Sequence, residues 1–135
     1  MKKLFSAKYS AGAINAAMLV LRLGLGILMI KIGYDKLNNF NAMKGEFMNF
    51  MGIGSTASLA LVVFAEFFCS ALLILGLATR LATIPLIITM CVVVFKVGNA
   101  DVFGNAMTAT LFLIGYITIL IAGPGKASVD GMISK

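Results

Sequence analysis

Four apolar runs, at roughly 11–37, 57–77, 81–97 and 105–122, leave this chain very few ways to fold. A hydrocarbon layer about 30 Å thick is crossed by around 20 helical residues, and each run falls in or near that range. The alternation expected of a membrane β-strand is missing, and the runs are too long for one. Composition agrees, because 61% of the 135 residues are hydrophobic and 12% are charged. Soluble domains hold about 45–50% apolar and about 25% charged residues. The expectation is an all-α fold, a transmembrane four-helix bundle forming a single domain over residues 1–135.

The basic residues set the orientation. With the N-terminus inside, Lys2, Lys3, Lys8, Arg80, Lys126 and Lys135 face the cytoplasm, while Lys36, Lys44 and Lys96 lie opposite. That bias predicts an N-in/C-in chain. The short connection Ala78-Thr79-Arg80 makes the second and third spans a tight antiparallel pair. In the first outer loop, Phe40, Met43, Phe47 and Phe50 share one helical face, which predicts a short interfacial helix. Lys2 and Lys3 ahead of an apolar run resemble a secretory leader, but Arg22 interrupts the run and no small-residue cleavage site follows, so the segment reads as a span.

Several function classes drop out. The net charge of +6 is scattered, with no Lys/Arg cluster and no nucleic-acid-binding motif, so no nucleic acid partner is expected. The chain has no histidine, which removes His-ligated haem, His-based zinc and a Ser-His-Asp triad; no metal site is expected. Cys69 and Cys91 stand apart, without a CxxC pair. Their similar depth on adjacent spans makes a redox pair conceivable, although a buried cysteine more commonly acts as a small apolar residue.

What remains is charge inside the spans. An ionisable side chain there costs roughly 2.5–3.5 kcal/mol on insertion scales, and so requires a partner or a purpose. Arg22, Gly26, Met29, Gly33 and Lys36 follow one another at intervals of four and three, along one stripe of the first helix. Lys31 lies about half a turn away and is expected to snorkel to the interface. On the second helix Glu66, Ser70, Leu73, Leu77 and Arg80 form a comparable stripe, and Glu66 is the one acidic residue well inside a span. Depths reckoned at about 1.5 Å per residue predict an Arg22–Glu66 interaction in the bundle, direct or through a polar group. Two readings of it stand: a structural pair fixing helix register, or a pocket where Glu66 handles protons and Arg22 holds an oxygen-bearing group. Gly24, Gly26, Gly33, Gly76 and Gly115 are expected to let helices approach closely. Pro85 should bend the third span or mark its first turns, and the threonines of the spans should bond between helices.

Three stretches carry a resemblance. They are Arg22-Leu-Gly24-Leu-Gly26 through Gly33-Tyr-Asp-Lys36-Leu37, then Glu66 with Leu75-Gly76-Leu77-Ala78-Thr79-Arg80, then Gly123-Pro124-Gly125-Lys126-Ala127-Ser128-Val129-Asp130. In this order in a four-span chain, they resemble the DoxX family of small bacterial four-helix membrane proteins. The resemblance implies residence in the bacterial cytoplasmic (inner) membrane. It also implies work as a membrane subunit of a redox system, at most as part of a quinone-linked oxidoreductase. No intrinsic cofactor is expected; quinone is the ligand to consider, with Arg22 and Glu66 as catalytic candidates and Gly26, Gly33, Lys36, Ser70 and Arg80 lining the site. Beyond the lipid bilayer, the partners to consider are a redox protein and further subunits, like or unlike. The alternative is a non-catalytic anchor or assembly subunit.

Overall fold

The computed structural model describes residues 7–45, 52–97 and 99–133, and every element among them is helical. Helix α1 (Ala11–Asn38) is the longest at 28 residues, and the Ser10 hydroxyl caps it by accepting the Ala13 N–H at 3.1 Å. At 1.5 Å per residue it reaches about 42 Å, longer than the hydrocarbon layer alone requires. Its buried residues are Met18, Arg22, Gly26, Met29 and Gly33, so the stripe expected from spacing is the face that packs. The opposite faces carry exposed Val20, Ile27 and Leu28, which is the disposition of a helix bathed in lipid.

Helix α2 (Phe40–Met43) is a single turn; the interfacial helix expected from Phe40, Met43, Phe47 and Phe50 falls largely on residues that lie outside the described ones. Helix α3 (Ser55–Leu75) contains a π-helical stretch at Phe64–Cys69. It ends two residues earlier than the apolar run suggests, because Gly76 takes a left-handed φ of 74°. Gly76 N–H reaches the Leu72 and Leu73 carbonyls and Leu77 N–H returns to Leu72, a Schellman-type stop. Ala78 is also left-handed, and helix α4 then begins at Thr79, two residues before the expected Leu81. Helix α4 (Thr79–Val92) runs on through a π-helical stretch at Val93–Val97. Helix α5 (Met107–Ala122) follows, beginning at Met107 where the sequence suggested Asn105. Helix α6 (Val129–Ile133) closes the described chain.

Three of these helices are long and apolar enough to cross a membrane: Ala11–Asn38, Ser55–Leu75 and Thr79–Lys96. Helix α5 is apolar but shorter, at 16 residues. Helix α1 packs on α3, α4 packs on α5, and the buried core joins Leu73, Leu86, Tyr116 and Ile119 between them. The glycines behave unequally. Gly26 and Gly33 press against α3 and Gly115 against Leu25, whereas Gly24 faces open space and permits no approach. Pro85 sits inside α4. Interhelical bonding by threonine is corrected: Thr83, Thr89 and Thr118 each donate back within their own helix, to the Arg80, Pro85 and Ile114 carbonyls. A hydroxyl one turn from a carbonyl finds that partner first.

Candidate functional site

The expected Arg22–Glu66 pair does not form. Arg22 is 2% exposed, and its two terminal nitrogens donate to the Pro124 and Ala127 carbonyls, both at 2.7 Å. Glu66, also 2% exposed, accepts from Lys36 Nζ at 2.5 Å. The reason is axial register. Gly33 of α1 lies against the backbone of Glu66 and Phe67, and Gly26 lies against Ser70 and Ile74. The Arg22 guanidinium therefore stands level with Gly76, ten residues past Glu66 along α3, or about 15 Å. Helix α3 stops there, while α1 continues three turns further toward its N-terminus, so the overhang is filled by the segment after α5 rather than by another span.

That segment makes a joint. Lys126 N–H donates to the Asn15 side chain at 3.1 Å, Asp130 N–H donates to the Gly76 carbonyl at 2.8 Å, and Ser128 Oγ donates to the Gly125 carbonyl. The Asp130 carboxylate accepts from Ala78 N–H and Thr79 N–H, both at 2.8 Å, and so caps the first turn of α4. Burial alone would raise the pKa of this carboxyl. The two backbone N–H groups and the positive charge of Arg22 outweigh that and hold it below the usual carboxylate range. The start of α1, the α3–α4 turn and the end of α5 thus meet at one end of the bundle.

The second polar place lies further along α1. Gly33 has no side chain, which lets the π-helical stretch of α3 come close enough for Lys36, one turn on, to reach back to Glu66. A helical Cβ tilts toward the N-terminus, so this reach follows the natural lean of the side chain. The Lys36 side chain is 23% exposed and that of Glu66 3%, which makes this a pair open to the surroundings at its cationic end. One turn inward stand two fully buried hydroxyls, Ser70 and Tyr116, neither of which meets hydrogen-bond geometry with any group. Tyr116 Oη lies beside Ser70 and within electrostatic reach of Glu66 and Cys69. Two hydroxyls side by side in an apolar wall have few acceptors besides each other, and a carbonyl oxygen at this level would find donors.

The sequence-predicted residues therefore divide. Lys36, Glu66 and Ser70 come together, with Gly33 and Gly26 forming the floor that admits α3. Arg22 belongs to the joint, and Arg80, placed on the α3 stripe by spacing, is instead an exposed residue in the first turn of α4. Tyr116 was not singled out by sequence reasoning, although it is the single tyrosine of the last apolar run. Asp130 was assigned to a loop, with no sign that its oxygens would cap a helix. Cys69 is buried and Cys91 half-buried, and both are free thiols. Among the described residues no cluster of three potential metal ligands occurs.

Comparison with known proteins places these features in context. The DoxX family model matches residues 17–99. An uncharacterized membrane protein of Mycobacterium tuberculosis is 29% identical over 134 aligned residues, covering 88% of this chain and 82% of that one. No solved structure matches.

Proposed function

The chain belongs to the DoxX family of membrane proteins, and from that premise we propose that it is a four-pass inner-membrane subunit of a redox system. Its ligand would be a quinone-like molecule held at Lys36, Glu66, Ser70 and Tyr116. Helix α5 would be the fourth crossing: its 16 residues span about 24 Å. The bond from Lys126 N–H to the Asn15 side chain supports a reading in which these two residues share one side of the membrane, as an even number of crossings between them demands. The excess of basic residues there favours the cytoplasmic side.

The observation that carries the ligand reading is the pair of adjacent buried hydroxyls, Ser70 and Tyr116, next to a half-buried ion pair. A quinone offers two carbonyl acceptors and an apolar ring, which suits Ser70 and Tyr116 as donors in an apolar wall. Its reduction to quinol takes two electrons and two protons. Lys36 and Glu66 form a half-open polar route by which protons would reach it, and a partner protein would bring the electrons. The lipophilic molecules co-purifying with the wild type and with Glu66→Gln and Tyr116→Phe variants test this. A stoichiometric quinone in the wild type, lost or depleted in both variants, is the expected result. Phospholipid alone in all three would leave the alternative.

That alternative, a non-catalytic anchor or assembly subunit, has its own supporting observation. The Arg22 guanidinium gives both terminal nitrogens to backbone carbonyls, and so serves the architecture rather than a ligand.

A further inference from the structure

At the end of the bundle where the closing segment docks, an open cleft of about 960 Å³ separates the first turn of α4 from the residues after α5. Two exposed cations line it, Arg80 and Lys126. Neither side chain makes an ion pair or hydrogen bond among the described residues. The buried Arg22 and half-buried Lys36 differ: Arg22 uses both terminal nitrogens, and Lys36 is paired with Glu66. Arg80 is nevertheless not adrift. A Cβ on Gly123 would lie 3.0 Å from its Nη2, so the guanidinium rests across that backbone, in space that only glycine leaves.

The cleft's carboxylate, Asp130, forms no ion pair with either cation; its oxygens accept from the Ala78 and Thr79 N–H groups, and its single negative charge leaves the cleft with a net positive charge. The buried Thr79 hydroxyl also lines the cleft, beside the Asp130 carboxylate. The rim is apolar, with Leu81 at 69% and Ile133 at 70% exposure. Two unpaired cations with bare aliphatic surface beside them, at the end of a membrane bundle, match one kind of molecule in both of its halves.

We propose that this cleft binds an anionic phospholipid from the adjoining leaflet, its phosphate held by Arg80 and Lys126 and its acyl chains lying along Leu81. Arg80 supplies a planar fork suited to two phosphate oxygens, and Lys126 a mobile point charge. Because the segment carrying Lys126 also carries the carbonyls that hold Arg22, an occupied cleft would tie the joint to the leaflet. The inference does not depend on the quinone reading, which concerns the other polar place.

The test titrates the purified full-length protein in detergent with phosphatidylglycerol and, separately, with phosphatidylcholine of the same acyl chains. Bound lipid is counted by native mass spectrometry. Phosphatidylglycerol is expected to bind at least about tenfold more tightly, the effect of two cations acting on an anionic headgroup. The double variant Arg80→Gln/Lys126→Gln should lose that preference. Equal binding of the two lipids by the wild type, or an undiminished preference in the double variant, overturns the proposal. Competition with inorganic phosphate separates the sources: lipid binding unaffected by millimolar phosphate supports a lipid occupant, and its displacement refutes one. Should the double variant fold poorly, Lys126→Gln alone is read instead, since its side chain is exposed. A severalfold loss of preference supports the site, and no loss counts against it.

Discussion

A methyl group on Gly33 should cost this protein more than one on Gly24, nine residues earlier in the same helix. A Cβ at Gly33 would stand 2.7 Å from both the Glu66 carbonyl carbon and the Phe67 nitrogen, and 2.9 Å from the Glu66 oxygen. All three are backbone atoms and none can rotate aside. Opening the contact from 2.7 Å to an ordinary 3.4 Å parts α1 from α3 by about 0.7 Å at that level. Overpacking of this kind costs about 1–3 kcal/mol, and the rigid neighbours place Gly33→Ala toward the upper end. Gly24→Ala is the matched control, since a Cβ there meets nothing within 4 Å. Both substitutions gain the same helix-propensity term, about 1 kcal/mol, so it cancels when they are compared with one another. Titration of detergent-solubilised protein with SDS, followed by far-ultraviolet circular dichroism, measures the difference. Gly33→Ala should be the less stable of the two by about 2–3 kcal/mol. Equal stability would refute the claim that close approach at Gly33 sets the register of α1 and α3.

Three further outcomes follow from the two polar places. Lys36→Met strands the buried Glu66 carboxylate and should destabilise by about 3–5 kcal/mol, whereas Lys36→Met combined with Glu66→Leu should recover most of that loss; the same SDS titration reads both. Arg22→Met leaves the Pro124 and Ala127 carbonyls without their charged donor, a loss of about 2–4 kcal/mol, and hydrogen exchange should quicken at 123–130 while residues around Glu66 stay protected. The Asp130 carboxyl is held below its usual range in the fold, so its contribution to stability is complete above the unfolded value and disappears as pH falls through the lower folded one. Exchange at Ala78 and Thr79, corrected for intrinsic rates, should therefore rise at acid pH in the wild type and show no such step in Asp130→Asn.

Much of this was legible in the sequence, and the part that was not has a definite cause. Spacing alone located the buried face of α1, because helical periodicity decides which residues share a side. It could not decide which residues of two antiparallel helices are level, and that axial register is what separates Arg22 from Glu66. The missing clue was available in Gly76. Read as a left-handed stop, it ends α3 at Leu75, leaves α1 overhanging, and sends Arg22 in search of another partner. That partner is a pair of backbone carbonyls, which any residue type would supply and which therefore leave no mark in the sequence. Lys36 counts among the outer-side charges and also lies on the candidate stripe, and its lean toward the helix N-terminus brings it to Glu66, a pairing that spacing alone does not give.

The family match and the joint bear on one another. The matched region, residues 17–99, contains Arg22 and the α3–α4 turn but stops short of the segment 123–130 that completes both. Without that segment, a buried guanidinium and the first N–H groups of α4 would face one another across the overhang with nothing between them. Such a charge is tolerated in a bilayer only when paired or hydrated. The three stretches that carry the family resemblance are thus far apart in sequence, yet the third and parts of the first two form one contact set, which needs no ligand to hold it together. Glu66 and Lys36 stand outside that set, about 15 Å away along the bundle, where Ser70 and Tyr116 hold unanswered hydroxyls. The architecture engages both terminal nitrogens of Arg22 and leaves only its Nε alone, so it is at the second place, where an ion pair adjoins two buried hydroxyls, that chemistry has to be sought.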